Sequence, residues 1–373
     1  MTAIHSPLYL PLANPAQRFF VNTGYQMNRL ARWTVRQIGH LLLSPIPQEL
    51  YLEEVADRVQ TAVKVALAIP IVAGSFLLST PCYLAASYVG IGRFEKIEAI
   101  NPSNDPKEES IKVTFQNICG QNPWSVFSGG TVPPLEKDSE GNTRVDALID
   151  HILQENPDVY CGQEFDDLAT SEAIGKALAQ QGYTCVRDLG CNDPIRNHSG
   201  LFIAVRGSTD SVTFHPFQPD HVSGIANWCQ SGIMEVNVPL QNGRDIKVIN
   251  VHLNPGGQEH QHSRLVQLGT YVAPLMDQHR SVVVGDSNLD TSFLSEEQKM
   301  TAGLIGTLNA LEGQVTCTDE GKHILNGKPL DGCTDCEERI DVILHRPEEI
   351  AISDLTIQPG HSDHHLISFT AHS

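Results

Sequence analysis

Ten residues, Ser281 to Asp290 (SVVVGDSNLD), set the tightest limits on what this chain can become. Three consecutive valines read as a buried strand, and Gly285 ends the run abruptly. The turn that follows presents Asp286 and Asn288 on one side, where an acid and an amide can together grip a water or a phosphate. Gly, Asp, Ser and Asn are also ordinary turn formers. Taken alone, the stretch is equally a core strand with its turn.

Other stretches repeat the pattern of an apolar run ending in groups that can bind a metal or move a proton. Ile111 to Asn117 (IKVTFQN) ends in an amide, and Asp158 to Glu164 (DVYCGQE) in a carboxylate. Arg339 to Leu344 (RIDVIL) carries Asp341 inside an aliphatic strand, and Ser362, Asp363 and His364 stand just before the strand-like HLISFT. In this order, Asn, Gln-Glu, Gly-Asp-x-Asn, Arg-Ile-Asp and Ser-Asp-His resemble the endonuclease/exonuclease/phosphatase superfamily, whose fold is that of deoxyribonuclease I. The resemblance covers residue 111 to the C-terminus. It implies an α/β chain of α+β type, a four-layered sandwich of two mixed β-sheets flanked by helices.

The order of elements agrees with that expectation. Helices are expected at Arg144–Gln154, Leu168–Gln181 and Gln258–Met276. Strands are expected at Tyr183–Arg187, Gly200–Arg206, Val212–Phe217, Ile233–Val238 and Ile246–His252, several following one another directly. Cys119–Gly141, rich in Gly and Pro, reads as a long loop at the rim of the site.

The first hundred residues differ in character. Met1–Arg18 lacks the features of a secretory signal and reads as a mobile leader. Asn28–Leu43 (NRLARWTVRQIGHLLL) places Arg29, Arg32 and Arg36 at helical spacing, an amphipathic helix suited to an anionic membrane face or to packing on the domain. Val65–Gly92 runs 28 residues without a charge, broken by Pro70 and Pro81. It is long enough to enter a bilayer and reads as a hydrophobic hairpin, the alternative being a pair of core helices. The expected organisation is an N-terminal region at 1–100, a polar linker at 101–110 and a catalytic domain at 111–373. The membrane surface is thus an expected partner through residues 28–92.

A formal charge of −19 repels phosphate backbones, so nucleic acid is a disfavoured partner. Nine cysteines without a regular spacing favour a reducing, cytoplasmic compartment over a disulfide framework. Cys185 and Cys191 flank one loop and could pair. Cys317, His323, Cys333 and Cys336 fall within twenty residues and could hold a structural zinc, although free thiols or a disulfide are the plainer reading.

A phosphodiester resists attack, so its hydrolysis requires charge neutralisation, a deprotonated water and a protonated leaving oxygen. Glu164 is the best candidate ligand for Mg²⁺ (or Mn²⁺), with Asn117 supplying a neutral oxygen and Asp363 serving the metal or its waters. The resemblance implies that Asp286 and Asn288 orient the nucleophilic water and the phosphate. His364 is read as general base or acid, held in one tautomer by Asp341, and His252 as a hydrogen-bond partner of a phosphate oxygen or of the leaving group. Within the superfamily the chain looks most like membrane-associated neutral sphingomyelinases, through the proline-broken apolar region ending in GRFEKIE, the HSGLFIAVR strand and GDSNLD. That likeness implies a membrane lipid substrate, sphingomyelin, cut to ceramide and phosphocholine. One departure is clear: the family's lysine just before the strand that here begins GIMEV is missing, and Ala226 to Ser231 offer no charge in its place. Trp228 could present an aromatic face to choline. A phosphoinositide phosphatase, a nuclease and a non-catalytic membrane scaffold are the alternatives.

Overall fold

The computed structural model describes residues 8–9, 12–27, 70, 73–74, 77–82, 84–86, 93–102, 107–119, 143–190, 199–222, 231–255, 260–278, 280–312, 314–316, 339–362 and 364–373. The strands in chain order are β1 (Leu8–Tyr9), β2 (Phe94–Ile97), β3 (Ser110–Asn117), β4 (Val159–Gln163), β5 (Tyr183–Asp188), β6 (Phe202–Arg206) and β7 (Thr213–Pro216). They continue with β8 (Gly232–Pro239), β9 (Asp245–His252), β10 (Ser281–Asp286), β11 (Leu308–Asn309), β12 (Asp341–His345), β13 (Ala351–Gln358) and β14 (Leu366–His372). The helices are α1 (Pro15–Met27), α2 (Arg144–Glu155), α3 (Leu168–Gln180), α4 (Gln261–Gln267), α5 (Ala273–Gln278) and α6 (Glu296–Thr301), with a π-helical turn (Leu268–Val272) joining α4 to α5.

Two seven-stranded mixed sheets pack face to face, in the orders β1-β7-β8-β9-β10-β12-β11 and β13-β14-β3-β4-β6-β5-β2. Each is built around one parallel pair, β9 with β10 and β3 with β4, flanked by antiparallel neighbours. The strand period of two then sorts the side chains. Ile111, Val113 and Phe115 of β3, Val159 and Cys161 of β4, Ile246 and Val248 of β9, and Val282 and Val284 of β10 fill the space between the sheets. Ile249, Val251 and Val283 face outward under Leu265, Leu268, Val272 and Met276 of the α4–α5 run. On the other sheet, Tyr160, Cys185, Phe202 and Ala204 lie under Leu148 and Ile152 of α2 and Ile174 and Leu178 of α3. The result is the expected layering of helix, sheet, sheet and helix.

The helices flanking the second sheet carry their stop and start signals in sequence. Thr143 and Asp146 form a reciprocal capping box at α2, which ends in a left-handed Asn156, and Asp167 caps α3 by accepting from the Thr170 N–H at 3.0 Å.

Elements ahead of residue 111 join this sandwich. β1 pairs with β7 at the edge of one sheet, Leu12 bridges Phe94 at the edge of the other, and β2 pairs with β5. The leader expected to be mobile is therefore partly structured up to Arg18. The reason lies in an N-cap signal, Asn14-Pro-Ala-Gln17: the Asn14 Oδ1 accepts from the Gln17 N–H at 2.8 Å, the Gln17 Oε1 accepts from the Asn14 N–H at 3.1 Å, and Pro15 opens the helix. Lys107, in the expected linker, bridges Leu240. Residues 28–43 and most of 65–92 lie outside the described residues. Among the described residues no helix is long and apolar enough to cross a membrane. Cys185 is a buried thiol on β5, its Sγ 3.6 Å from the Gly175 carbonyl, and Cys191, its suggested partner, lies outside the described residues.

Candidate active site

The inward-facing series of four strands end in polar residues at the same edge of the sandwich. On β3 the series 111, 113, 115 ends in Asn117; on β9 it ends in Asn250 and His252; on β10 it ends in Asp286; on β12 Asp341 stands one step before Ile343. Register aligns three of them across one sheet, with Asp286 opposite His252 on one side and Asp341 on the other. Glu164 follows the inward-facing Gln163, so regular alternation would turn it away. Its φ of 54° breaks the strand there and brings it beside Asn117. Gly285 adopts φ 128°, and a Cβ on it would stand 2.2 Å from the Val251 carbonyl oxygen, so only glycine lets β10 lie this close to β9.

Oδ2 of Asp286 is the hub. Asn117 Nδ2 donates to it at 3.0 Å and to Glu164 Oε1, also at 3.0 Å. His364 Nε2 lies 3.7 Å from the same Oδ2 and His252 Nε2 3.8 Å from it, with Glu164 Oε1 3.9 Å from His252 Nε2. The other oxygen of Asp286 accepts the Asn288 N–H at 2.7 Å, and Asn288 donates its side-chain amide to the Leu253 carbonyl at 3.3 Å. His364 presents Nδ1 to Asp341 at 3.0 and 3.2 Å, which places the ring proton there and leaves Nε2 as an acceptor. Asp341 is buried, which pushes its carboxyl above the usual range; His364, by its hydrogen bond and by its charge when protonated, opposes that rise and Asp286 adds to it. Asp341 is further tied by its own N–H to Thr316 Oγ1 at 3.2 Å.

Three carboxylates and two imidazoles thus lie together at one edge of the sandwich, and Glu164, His252 and Asp286 offer ligand atoms within 4.8 Å of one another. His252 Nε2 is buried without a hydrogen-bond partner among the described residues. A buried polar atom left in this way beside two carboxylates fits a group that arrives from outside, a water, a phosphate oxygen or a divalent cation.

Asn117, Glu164, His252, Asp286, Asn288, Asp341 and His364 are therefore brought together. Asn117 differs from expectation in its orientation. Its Oδ1 accepts the Cys119 N–H at 2.9 Å while its nitrogen faces the carboxylates, so presenting a neutral oxygen to a cation requires the amide to turn. Asp363, the four residues Cys317, His323, Cys333 and Cys336, and Trp228 lie outside the described residues. Sequence reasoning did not single out a buried amide pair beneath the site. Gln163 Nε2 donates to Asn250 Oδ1 at 2.6 Å, and Asn250 donates to the Gly162 and Phe202 carbonyls at 3.1 and 3.0 Å, joining the two sheets. A signal was present: amides at inward-facing positions of otherwise aliphatic strands need partners.

The sequence profile of the Endonuclease/Exonuclease/phosphatase family matches residues 116–364, about two thirds of the chain, from the strand that carries Asn117 to His364 itself. The chain belongs to this family. Endonuclease/Exonuclease/phosphatase members are hydrolases acting on phosphoester bonds with divalent metals. No curated protein matches the sequence. Among solved structures the chain is similar to SmcL, at 15% identity over 71% of this chain and 99% of that one, with a TM-score of 0.49. It is similar also to beta toxin from Staphylococcus aureus with bound magnesium ions (13% identity, 71% and 99% coverage, TM-score 0.46). A third likeness is to a mannosyl-6-phosphatase of Bacteroides thetaiotaomicron (15% identity, 70% and 99% coverage, TM-score 0.46).

Proposed function

We propose that the chain is a Mg²⁺-dependent phosphodiesterase of neutral sphingomyelinase type, cleaving sphingomyelin to ceramide and phosphocholine by attack of water on phosphorus. The observation that carries this reading is the convergence of two imidazoles on one carboxylate oxygen, His364 and His252 on Asp286 Oδ2, with the far nitrogen of His364 hydrogen-bonded to Asp341 while the same Nε2 of His252 also faces Glu164 at 3.9 Å. Two histidines in unlike surroundings suit unlike tasks in a displacement that needs a base and an acid.

His364, its Nδ1 proton held by Asp341, accepts the proton of the attacking water at Nε2, and the Asp341 carboxylate stabilises the imidazolium that forms. The P–O bond to water forms as the bond to the ceramide oxygen breaks, and His252 donates a proton to that oxygen. Asp286 and Asn288 hold the water and the phosphate. Glu164, with Asn117 once its amide has turned, would hold a divalent cation whose charge neutralises the phosphate when bound, and Asp363 is assigned from the sequence alone to the metal or its waters. Carboxylate oxygens suit Mg²⁺ or Mn²⁺ and leave His252 for the proton.

The lipid substrate is supported by features away from the site. The uncharged run 65–92 and the basic segment 28–43 suit attachment to a membrane surface, where a sphingolipid lies, and the net charge of −19 opposes nucleic acid. Nine cysteines without the spacing of a disulfide framework are the ground for placing the domain in a reducing, cytoplasmic compartment. The substrate brings its own cation on choline, which offers one way to dispense with the lysine absent before Gly232.

The test is phosphocholine release from sphingomyelin vesicles by the purified chain with Mg²⁺, beside Glu164→Ala, with phosphatidylcholine, a phosphoinositide and plasmid DNA in parallel. Metal-dependent release from sphingomyelin alone, lost in the variant, is the expected result. Turnover of a different substrate with none of sphingomyelin would move the enzyme to another branch of the family.

A further inference from the structure

Arg144 opens α2 and is 1% exposed. Both circumstances disfavour a cation: the N-terminal end of a helix carries partial positive charge, and burial strips the guanidinium of water. Helix propensity and packing do not call for it, since an unbranched apolar side chain would fill the same space without either penalty.

What the guanidinium does is join two turns that are distant in sequence. Its Nη2 donates to the Ile118 carbonyl, and its Nε donates to the His361 carbonyl. Ile118 follows Asn117 at the exit of β3. His361 stands three residues before His364 at the entry to β14, in a left-handed conformation with φ 33°. These strands are antiparallel neighbours, Phe115 opposite Ile367. Lesser bonds cross the same gap: Gln116 Nε2 donates to the Gly360 and His364 carbonyls at 2.9 and 3.0 Å, and Ser362 Oγ donates to the Asn117 carbonyl at 2.7 Å. The His364 N–H returns to Ser362 Oγ at 3.3 Å. The planar fork of arginine, with donors in fixed directions, is the side chain that can hold two carbonyls at a set separation.

We propose that Arg144 is a positioning residue of the active site. By clamping the Ile118 and His361 carbonyls it fixes the spacing between Asn117 and the turn that delivers His364, and with it the direction in which His364 Nε2 meets Asp286. The catalytic consequence rests on the hydrolytic reading given above; the geometric one does not.

The experiment compares the full chain with Arg144→Met, which keeps volume and loses the donors, and Arg144→Lys, which keeps the charge and loses the fork. Folding is followed by circular dichroism. The Nδ1 proton resonance of His364, identified by its loss in His364→Gln, is followed by NMR, and sphingomyelin hydrolysis gives kcat and KM separately. In folded variants the resonance shifts or broadens, and kcat falls roughly ten- to a hundredfold with KM unchanged, as misplacement of a proton-transfer group requires. A folded variant with an unmoved resonance and full kcat would overturn the proposal. Failure of both variants to fold would overturn it too, by making Arg144 a residue of the fold alone. If the parent chain does not cleave sphingomyelin, the resonance still decides the clamp, and the substrate assignment falls separately.

Discussion

At Asp341 a carboxylate is buried on the inner face of a sheet, 3.0 Å from His364 and in register with Asp286. Burial raises its pKa, which fixes the sign of its effect on stability. A raised pKa favours the fold below the ordinary carboxylate range, near pH 4, and that contribution is lost as pH climbs through the folded-state value. Asp341→Asn removes the buried charge at almost constant shape. The variant is expected to gain in melting temperature relative to the parent as pH rises from about 4 towards 8, while kcat falls on the order of 10²-fold or more because the ring of His364 loses its fixed tautomer. Melting curves across that range, read beside initial rates, check both halves. A variant that is both less stable at pH 8 and fully active would show that Asp341 is a structural acid.

β10 shows at the scale of an element why the site forms where it does. Its valines fill both faces, and its last two residues, Gly285 and Asp286, allow close approach to β9 and then spend the next inward position on an acid. Gly285→Ala is expected to cost roughly 2–4 kcal/mol, from a strained φ together with a collision against backbone that cannot give way. Urea unfolding measures this; a loss below about 0.5 kcal/mol would mean that the two strands do not touch as described. Elements of this kind are legible in sequence because β-branched runs, a terminal glycine and a polar end coincide. The acids and histidines of β9, β10, β12 and the β14 entry are legible for the same reason. Other elements hide. β13 reads AISDLTIQ, with no fully buried residue, and carries a register irregularity near Asp354, so its apolar alternation is broken. β2 sits at the end of a long apolar run whose composition masks a four-residue strand. The helix expected at Gln258–Met276 contains a π turn that no residue announces. Glu164 was legible as a chemical group, whereas its left-handed turn, which aims it, was not.

Taken as a whole, the molecule draws its two sheets together from both ends of the chain. The C-terminal strand β14 lies beside β3, and the N-terminal residues reach one edge of each sheet: β1 on one, Leu12 on the other, with the Ala13 N–H donating to the Phe94 carbonyl at 2.7 Å. α1 then settles against Leu168 and Leu189 through Val21 and Tyr25, and the Tyr25 hydroxyl donates to Asp167, the residue that caps α3 just after Glu164. If a specific protease site is placed near residue 60 and cut, the N-terminal fragment is expected to stay with the body in gel filtration under native conditions. Elution of two separate species would mean that these contacts do not hold.

The chain between residues 27 and 93 joins α1 to Arg93, which is paired with Asp188 beneath the sheet edge, and within it Ala86 is buried against Val21, Tyr25, Leu168 and Leu189. A body moored by a single line swivels freely. One moored by two lines keeps its heading, and α1 and Arg93 are two such lines on the N-terminal part of this chain.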